Sequence, residues 1–137
     1  MNHSRKTRKI YNKNKLHESC PFCGRALKEK GLIGFKYSYI VPNLTKYDFW
    51  ELYDVADHLL LLPRRHVQHL NELSGAEKLE IIDKLSEYEA KGYSVYARSQ
   101  GFNDRSEEHQ HTHLIKTANK KMRVALFIGK PYFLFKL

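Results

Sequence analysis

A short continuous apolar run, residues 59–62, follows His58 and stops at Pro63. A run of this kind is typical of a central strand that is buried on both faces. Strand composition, rich in aromatic and β-branched residues and bounded by turn residues, recurs along the rest of the chain. These further predicted strands cover residues 32–41, 47–53, 93–97, 121–128 and 132–137.

One long segment has a helical pattern instead. Ser74 and Glu77 have the spacing of a capping box, and Gly92 is the kind of residue at which helices end. Between them, apolar residues recur at helical spacing, mainly Leu79, Ile82 and Leu85 and less regularly Ile81 and Tyr88. Strands interrupted by one main helix predict an α+β fold built on an antiparallel sheet.

Three histidines alternate with other residues at positions 109, 111 and 113. In a strand, side chains at this spacing emerge on one face about 7 Å apart, whereas a helix would scatter them. Imidazole has an unperturbed pKa near neutrality, so a row of imidazoles can supply a nucleophile, a proton donor or metal ligands. The polar residues 101–108 form a predicted loop that leads into this strand.

The 137 residues suffice for one domain, and a hydrophobic content of 42% favours a globular protein. No apolar run approaches the roughly 18 residues that span a bilayer. The basic N-terminus lacks the apolar region of a secretory signal, which favours a cytoplasmic protein. We expect residues 1–17 to form a basic flexible arm and residues 18–137 to form the domain.

The net charge of +9 is unevenly distributed. Six lysines and arginines precede the first acidic residue, Glu18, and no acidic residue follows Glu108. Such basic segments favour polyanionic partners, either nucleotides or nucleic acid. The alternative is that the lysines only keep the surface soluble and the edge strands unpaired.

The two cysteines form a Cys-Pro-Phe-Cys motif, Cys20 to Cys23. A redox pair of this spacing would need a thioredoxin-like βαβ context, which does not follow, so metal binding is preferred. Two cysteines cannot close a tetrahedral zinc site, so two more ligands must come from elsewhere. The candidates are His58, His66, His69 and the three alternating histidines.

In combination these motifs resemble the histidine triad (HIT) superfamily of nucleotide hydrolases and transferases. The resemblance rests on the triad, the His-Leu-Leu-Leu-Leu-Pro-Arg-Arg-His segment of residues 58–66, the Cys-Pro-Phe-Cys motif, and Ser106 three residues before His109. It covers roughly residues 20 to 115. It implies a HIT-like α+β fold, of the zinc-containing bacterial type, whose short N-terminal segment is held by zinc.

The resemblance also implies roles for individual residues. His111 would be the nucleophile that attacks the α-phosphorus of a nucleotide, giving a covalent nucleotidyl-histidine intermediate. His113 and Ser106 would stabilise the phosphate charge, and His58 would lie near the nucleophile and the ribose phosphate. A backbone carbonyl bonded to His111 would leave its attacking nitrogen free.

For the metal, the resemblance implies a structural zinc ion held by four protein ligands. These are Cys20, Cys23, His66 and His109. Four protein ligands leave no open coordination position, so the ion would staple distant segments together and would not take part in the reaction. A metal held by all three triad histidines is disfavoured, because His109 belongs to the cysteine site.

The chain departs from the family pattern at several positions. Gln110 and Thr112 stand where apolar residues usually separate the histidines, so that face is either wetter than usual or covered by a polar partner. Where many members have an active-site asparagine, this chain has Arg98, with Ser99 beside it and Asn103 further on. Arg105 replaces a frequent glutamine and could contact phosphate. These four residues are the candidate nucleotide-binding set with His58.

The leading hypothesis is therefore a nucleoside phosphoramidase or dinucleotide-type hydrolase. The alternative is a zinc-stabilised nucleic-acid-binding module, or an enzyme acting on nucleotidylated nucleic-acid ends, with the basic arm and the C-terminal strands as the contact surface. A homodimer is a further expectation, because many relatives are homodimers.

Overall fold

In a computed structural model of the chain, strand β4 (Tyr53–Pro63) is the central strand of the main sheet. The structure describes residues 20–23, 32–102, 105 and 107–121, together with the backbone of residues 125–128 and 133–136. The predicted arm of residues 1–17, Asn103 and Ser106 lie outside the described residues. The assignment of residues 18–137 to one domain stays a prediction.

The other strands in chain order are β1 (Ile33–Gly34), β2 (Ser38–Pro42), β3 (Phe49–Trp50), β5 (Ser94–Tyr96), β6 (Thr112–Lys121), β7 (Ala125–Ile128) and β8 (Phe133–Lys136). One α-helix, α1 (Gly75–Ala90), follows a short 3₁₀-helix (Leu70–Glu72). The main sheet has the order β1-β2-β4-β6-β5, with antiparallel pairing throughout, and β3 pairs with the start of β4. The α+β prediction is confirmed.

The alternating pattern of β4 explains how it is buried on both faces. Leu61 packs toward the helix, in a cluster with Ile40 and Leu114. Leu60 and Leu62 pack on the opposite face, in a cluster with neighbours from β2. Successive residues of a strand point to opposite faces, so the continuous apolar run fills both cores. The predicted central strand is confirmed, and it is longer than the run itself.

Two predicted strands are interrupted by turns. The segment 32–41 contains a turn at residues 35–38, so that β1 folds back on β2. In the segment 47–53 the chain reverses at Glu51 and Leu52, which have φ values of 48° and 71°. Aromatic and β-branched residues indicate that a segment is buried, but they do not show where the chain turns within it. Neither residue at the second turn is a glycine or asparagine, the usual signal for positive φ.

Helix α1 begins after Ser74 and ends before Gly92, which has a φ of 91°, as the sequence predicted. Its buried stripe differs from the predicted one. Ile81 and Tyr88 are buried and Leu85 is partly buried, whereas the predicted stripe residues Leu79 and Ile82 are exposed. Both sets have helical spacing, so periodicity alone could not choose between the two faces.

The helix is also attached to the sheet by a carboxylate. Glu80 accepts hydrogen bonds from the backbone N–H of Tyr37 at 2.9 Å and from Ser38 Oγ at 2.6 Å. Ser38 is buried, so the carboxylate satisfies a hydroxyl that would otherwise lack a partner there. This contact places α1 against the turn between β1 and β2.

The predicted terminal pair of strands is present as β7 and β8, which form a separate two-stranded antiparallel sheet. Lys121, predicted to start β7, instead ends β6. The Gly129–Pro131 turn predicted between them lies outside the described residues. Within the described part of the chain, no helix has the length and apolarity needed to cross a membrane.

Ser74→Ala should lower the free energy of unfolding by about 1 kcal/mol, since Ser74 Oγ accepts the backbone N–H of Glu77 at 3.2 Å. Urea unfolding of both proteins measures this difference. Ser86→Ala is the matched control on the same helix and should change stability by less than about 0.5 kcal/mol. Equal effects of the two substitutions would contradict the capping role.

Candidate active site and metal centre

The three alternating histidines do not all lie in one strand. His113 belongs to β6, whereas His109 and His111 precede the first strand residue, Thr112. The backbone N–H of Gln110 donates to the carbonyl of Val67 at 2.7 Å. The segment of residues 109–111 therefore bonds to residues that follow β4 and is not part of the β4–β6 ladder. All three imidazoles are nevertheless buried, and the rings of His111 and His113 are 5.2 Å apart.

His111 has a defined tautomer. Its Nδ1 lies 2.8 Å from the carbonyl oxygen of His109, so Nδ1–H donates and Nε2 carries the lone pair. This is the carbonyl contact that the sequence analysis expected. Burial lowers the pKa of His111 to about 4, and the charges of Arg105 and Arg98 act in the same direction, against the effect of the carbonyl. The imidazole is therefore neutral at physiological pH.

A second chain of hydrogen bonds fixes His113. The backbone N–H of Tyr47 donates to His58 Nδ1 at 3.0 Å, so a neutral His58 ring carries its proton on Nε2. In that tautomer His58 Nε2, which lies 2.8 Å from His113 Nδ1 and 3.2 Å from Asn43 Nδ2, donates to His113. The proton of His113 therefore sits on Nε2. His111 and His113 thus differ chemically: one offers a lone pair at Nε2 and the other offers an N–H donor there.

Four residues from three segments form a group that could hold a metal ion. Cys20, Cys23, His66 and His109 place their ligand atoms within 4.8 Å of one another. Cys23 Sγ lies 3.1 Å from His66 Nδ1 and 3.5 Å from His109 Nδ1, and Cys20 Sγ lies 3.6 Å from His109 Nδ1. The other candidate ligands, His58, His69, His111 and His113, lie outside this group, and His69 is exposed.

The surroundings of these four residues determine whether their metal-binding atoms are protonated. His109 Nε2 lies 2.9 Å from the carbonyl of Pro63 and donates to it, which leaves Nδ1 unprotonated toward the cysteines. Burial also lowers the pKa of His109. Burial first, and Cys20 next, raise the pKa of the Cys23 thiol to about 11. A bound cation acts in the opposite direction, because coordination deprotonates a thiol.

The two arginines near His111 have different surroundings. Arg105 donates to the carbonyls of Glu107, Gln68 and Glu108 at 2.8 to 3.0 Å, and its Nη2 lies 3.4 Å from Gln110 Oε1. Burial lowers its pKa. Arg105 is thus engaged within the loop that precedes the triad, and Gln110 is buried against it. At Gln110 the polar side chain is covered by a polar group of the same chain, and Thr112 is also buried.

Arg98 instead lies against aromatic rings. Its guanidinium carbon is 5.7 Å from the ring centroid of Tyr47 and 5.6 Å from that of Tyr96. Ser99 is exposed, and its carbonyl accepts the backbone N–H of Phe102 in a turn. Because Asn103 and Ser106 are not described, the structure leaves their predicted roles as expectations.

Tyr47 and Pro63 are among the contributors to the site that the sequence did not indicate. Tyr47 fixes the tautomer of His58 through its backbone, and its ring stacks on His113 with a centroid distance of 5.4 Å. Pro63 orients His109 through its carbonyl. Backbone donors and acceptors carry no residue signature. The stop after the apolar run marked Pro63 only as a strand end.

No protein-family model matches the sequence. No curated protein matches it either. Solved structures do match the fold. A HIT family hydrolase from Clostridium thermocellum superposes with a TM-score of 0.55 at 17% identity, over 79% of this chain and 98% of that one. A HIT family hydrolase from Legionella pneumophila gives a TM-score of 0.52 at 18% identity, over 76% and 96% of the two chains.

A histidine triad protein from Clostridium difficile gives a TM-score of 0.51 at 18% identity, over 79% of this chain and 97% of that one. At identities of 17 to 18%, this similarity shows a shared fold alone. The chain has the fold of the histidine triad proteins, and the resemblance stated from its motifs is confirmed at that level.

At neutral pH we expect the His111 ring to be protonated at Nδ1 and the His113 ring at Nε2, because of their different hydrogen-bond acceptors and donors. Long-range ¹H–¹⁵N correlation spectra distinguish the two tautomers. His58→Phe removes the donor to His113 and should alter the signals of that ring while leaving the His111 tautomer unchanged. Protonation of His111 at Nε2 in the unmodified protein would contradict the assignment.

Proposed function

We propose that the chain is a nucleotidyl hydrolase or transferase of the HIT superfamily that acts through a covalent intermediate on His111. The observation that carries the proposal is the hydrogen bond from His111 Nδ1 to the His109 carbonyl. A neutral imidazole with a free Nε2 lone pair is a good nucleophile toward phosphorus and an adequate leaving group afterwards. The fold of the HIT proteins supports the same class.

In this mechanism His111 Nε2 attacks the α-phosphorus of a nucleotide and displaces the group attached there. His113, with its proton on Nε2, donates a hydrogen bond to a phosphate oxygen as negative charge develops. His58 keeps His113 in that tautomer by donating to its Nδ1. Ser106 acts as a further donor to phosphate. Water or another acceptor then resolves the intermediate.

The nucleotide would meet an aromatic surface beside His113 that is formed by the partly buried rings of Trp50 and Tyr96, whose centroids are 4.9 Å apart. The buried ring of Tyr47 supports this surface, because it stacks on Trp50 with a centroid distance of 6.0 Å. Aromatic rings of this kind bind a nucleobase by stacking, with little preference among bases. Ser99 and Asn103 are proposed as polar contacts to the nucleotide.

The metal at the four-residue group is proposed to be a structural zinc ion. With Zn–S about 2.3 Å and Zn–N about 2.0 Å, a tetrahedral site has S···N edges of about 3.5 Å. The S···N distances of 3.1 to 3.6 Å in the structure fit such a site with little adjustment. Two thiolates and two imidazoles are a common zinc ligand set. The ion would hold the cysteine segment against β4 and the triad segment.

We also propose a cytoplasmic location, a homodimer, and nucleic-acid contact or action on nucleotidylated ends through residues 1–17 and the C-terminal strands. In the described part of these strands, Lys116, Lys120 and Lys121 of β6 are exposed. Exposed lysines alone fit a nucleic-acid surface or an ordinary solvated edge equally well.

His111→Gln should reduce hydrolysis of nucleotide conjugates by at least about 1,000-fold, because no other described group can replace the attacking nitrogen. The rate of hydrolysis is measured as release of nucleoside monophosphate from a nucleoside phosphoramidate and from a dinucleoside polyphosphate. His69→Ala removes an exposed imidazole outside the site and should retain activity. Continued turnover by His111→Gln, with normal thermal unfolding, would contradict the proposal.

The purified protein should contain about one zinc ion per chain by elemental analysis. His109→Ala should lose the metal and lower the midpoint of thermal unfolding by at least about 5 °C, since it removes a ligand and a buried side chain. His111→Gln should keep the metal. A zinc content far below one in protein prepared without chelator would reject the site.

A further inference from the structure

Arg98 is a cation held on aromatic rings. Its guanidinium carbon lies 5.7 Å, 5.6 Å and 6.0 Å from the ring centroids of Tyr47, Tyr96 and Phe102. Ring faces attract the cation and limit its movement, but they take up none of its directional N–H bonds. Three aromatic neighbours therefore orient this guanidinium without using its donors.

The donors of Arg98 are also free of acidic partners within the described residues. The ion pairs found there join Arg65 with Glu77 and Glu87 with Lys84 and Lys91. Arg98 Nε is buried, and no hydrogen-bond partner for it lies among the residues the structure describes. A buried charged donor without an acceptor costs free energy, which an anionic ligand would recover.

Arg105 provides the contrast. Its Nε and Nη2 donate to carbonyls of Glu107, Gln68 and Glu108, so its guanidinium is already engaged within the protein. Its remaining terminal nitrogen, Nη1, lies 3.5 Å from the carbonyl of Arg98. Of the two arginines beside His111, only Arg98 thus has donors to offer a ligand.

Arg98 also lies on the side of the site where His113 faces the aromatic surface. Tyr47 and Tyr96, two of the rings under Arg98, are 5.4 Å and 6.0 Å from the His113 ring. Tyr96 pairs with His113 across β5 and β6, so both side chains stand on one face of the sheet. Arg98 therefore lies on the same side of the site as a phosphate bound by His113, and its charge also acts on the His111 ring.

We propose that Arg98 binds a second phosphate of the substrate, next to the one that His111 attacks. The substrate class is then nucleotides joined through a phosphoanhydride, whose leaving group ends in phosphate, in preference to nucleotides with an uncharged amine leaving group. A planar guanidinium suits this role because it binds phosphate oxygens with two parallel hydrogen bonds. The inference rests on the proposed function and narrows it.

In this substrate class, the Nε2 lone pair of His111 forms a bond to the α-phosphorus while the bond from that phosphorus to the bridging oxygen breaks. The electron pair leaves on the oxygen of the neighbouring phosphate, which Arg98 stabilises as its charge grows. Water then attacks the α-phosphorus, the P–N bond returns its pair to Nε2, and the water proton passes to solvent.

Equilibrium binding tests the inference without relying on turnover. Nucleoside monophosphate and diphosphate of the same base, in adenosine and guanosine series, are titrated into wild-type protein, Arg98→Gln and the control Arg65→Gln. We expect the wild type to prefer the diphosphate by about 10-fold or more, as suits a charge-assisted contact. Arg98→Gln should lose this preference, and Arg65→Gln, an exposed arginine, should keep it.

Kinetics provide the second readout. For a dinucleoside polyphosphate and a phosphoramidate of the same nucleoside, Arg98→Gln should reduce the ratio of the two kcat/KM values by about 10- to 100-fold. Arg98→Lys keeps the positive charge but loses the planar pair of N–H donors, so its ratio of kcat/KM values should lie between those of the wild type and Arg98→Gln. Each variant is first checked for normal thermal unfolding.

The outcomes separate this inference from the proposed function. An unchanged diphosphate preference in Arg98→Gln, or an equal fall in kcat/KM for both substrates, would overturn the role of Arg98. A diphosphate preference that depends on Arg98 in a protein that hydrolyses neither substrate would support the phosphate site and contradict the proposed chemistry. A wild type that binds neither nucleotide series would overturn both.

Discussion

The pairing of β4 with the segment that carries the histidines constrains almost every other feature of the site. Leu60 stands opposite His113 in this ladder, so His58, two residues earlier on β4, lies on the same face and its ring reaches the His113 ring. At the other end of β4, the carbonyl of Pro63 accepts from His109. A slip of one residue would turn His58 to the helix face and remove both contacts.

His109 connects the four-residue candidate metal site to His111, the proposed nucleophile. Its ring points to the two cysteines and its carbonyl accepts from His111 Nδ1. Anything that fixes the backbone at His109 therefore also fixes the tautomer and the direction of the next imidazole. On this account a structural ion contributes to chemistry only through orientation. The roles proposed for the three histidines differ because each ring has a different hydrogen-bond partner.

The parts of the fold that the sequence predicted well are those with a local cause. The capping serine and terminal glycine bound α1, and the uninterrupted apolar run marked the strand buried on both faces. The spacing of the cysteines and histidines indicated the metal group, with the resemblance choosing among several histidines. In each case the residue types themselves carry the physical constraint.

The features of the fold and the site that the sequence did not predict depend on tertiary contacts. The buried face of α1 is the one that packs against the sheet, where Glu80 also accepts hydrogen bonds, and the turn at Glu51 and Leu52 has no local signal. Tyr47 acts through its backbone N–H, which every residue but proline has. The different positions of Arg98 and Arg105 could not be separated by sequence, because both are simply arginines near the triad.

Rapid-quench mass spectrometry can locate the covalent bond during turnover. Protein mixed with a nucleotide conjugate, quenched within milliseconds to seconds and digested, should contain one peptide that is heavier by a nucleoside monophosphate. Fragmentation should place the added group on His111, with His109 and His113 unmodified and zinc still bound in a parallel unquenched sample. A nucleotidyl group on any other residue, or turnover without a detectable adduct under conditions that trap one in an active HIT hydrolase, would contradict the division of roles among the three histidines.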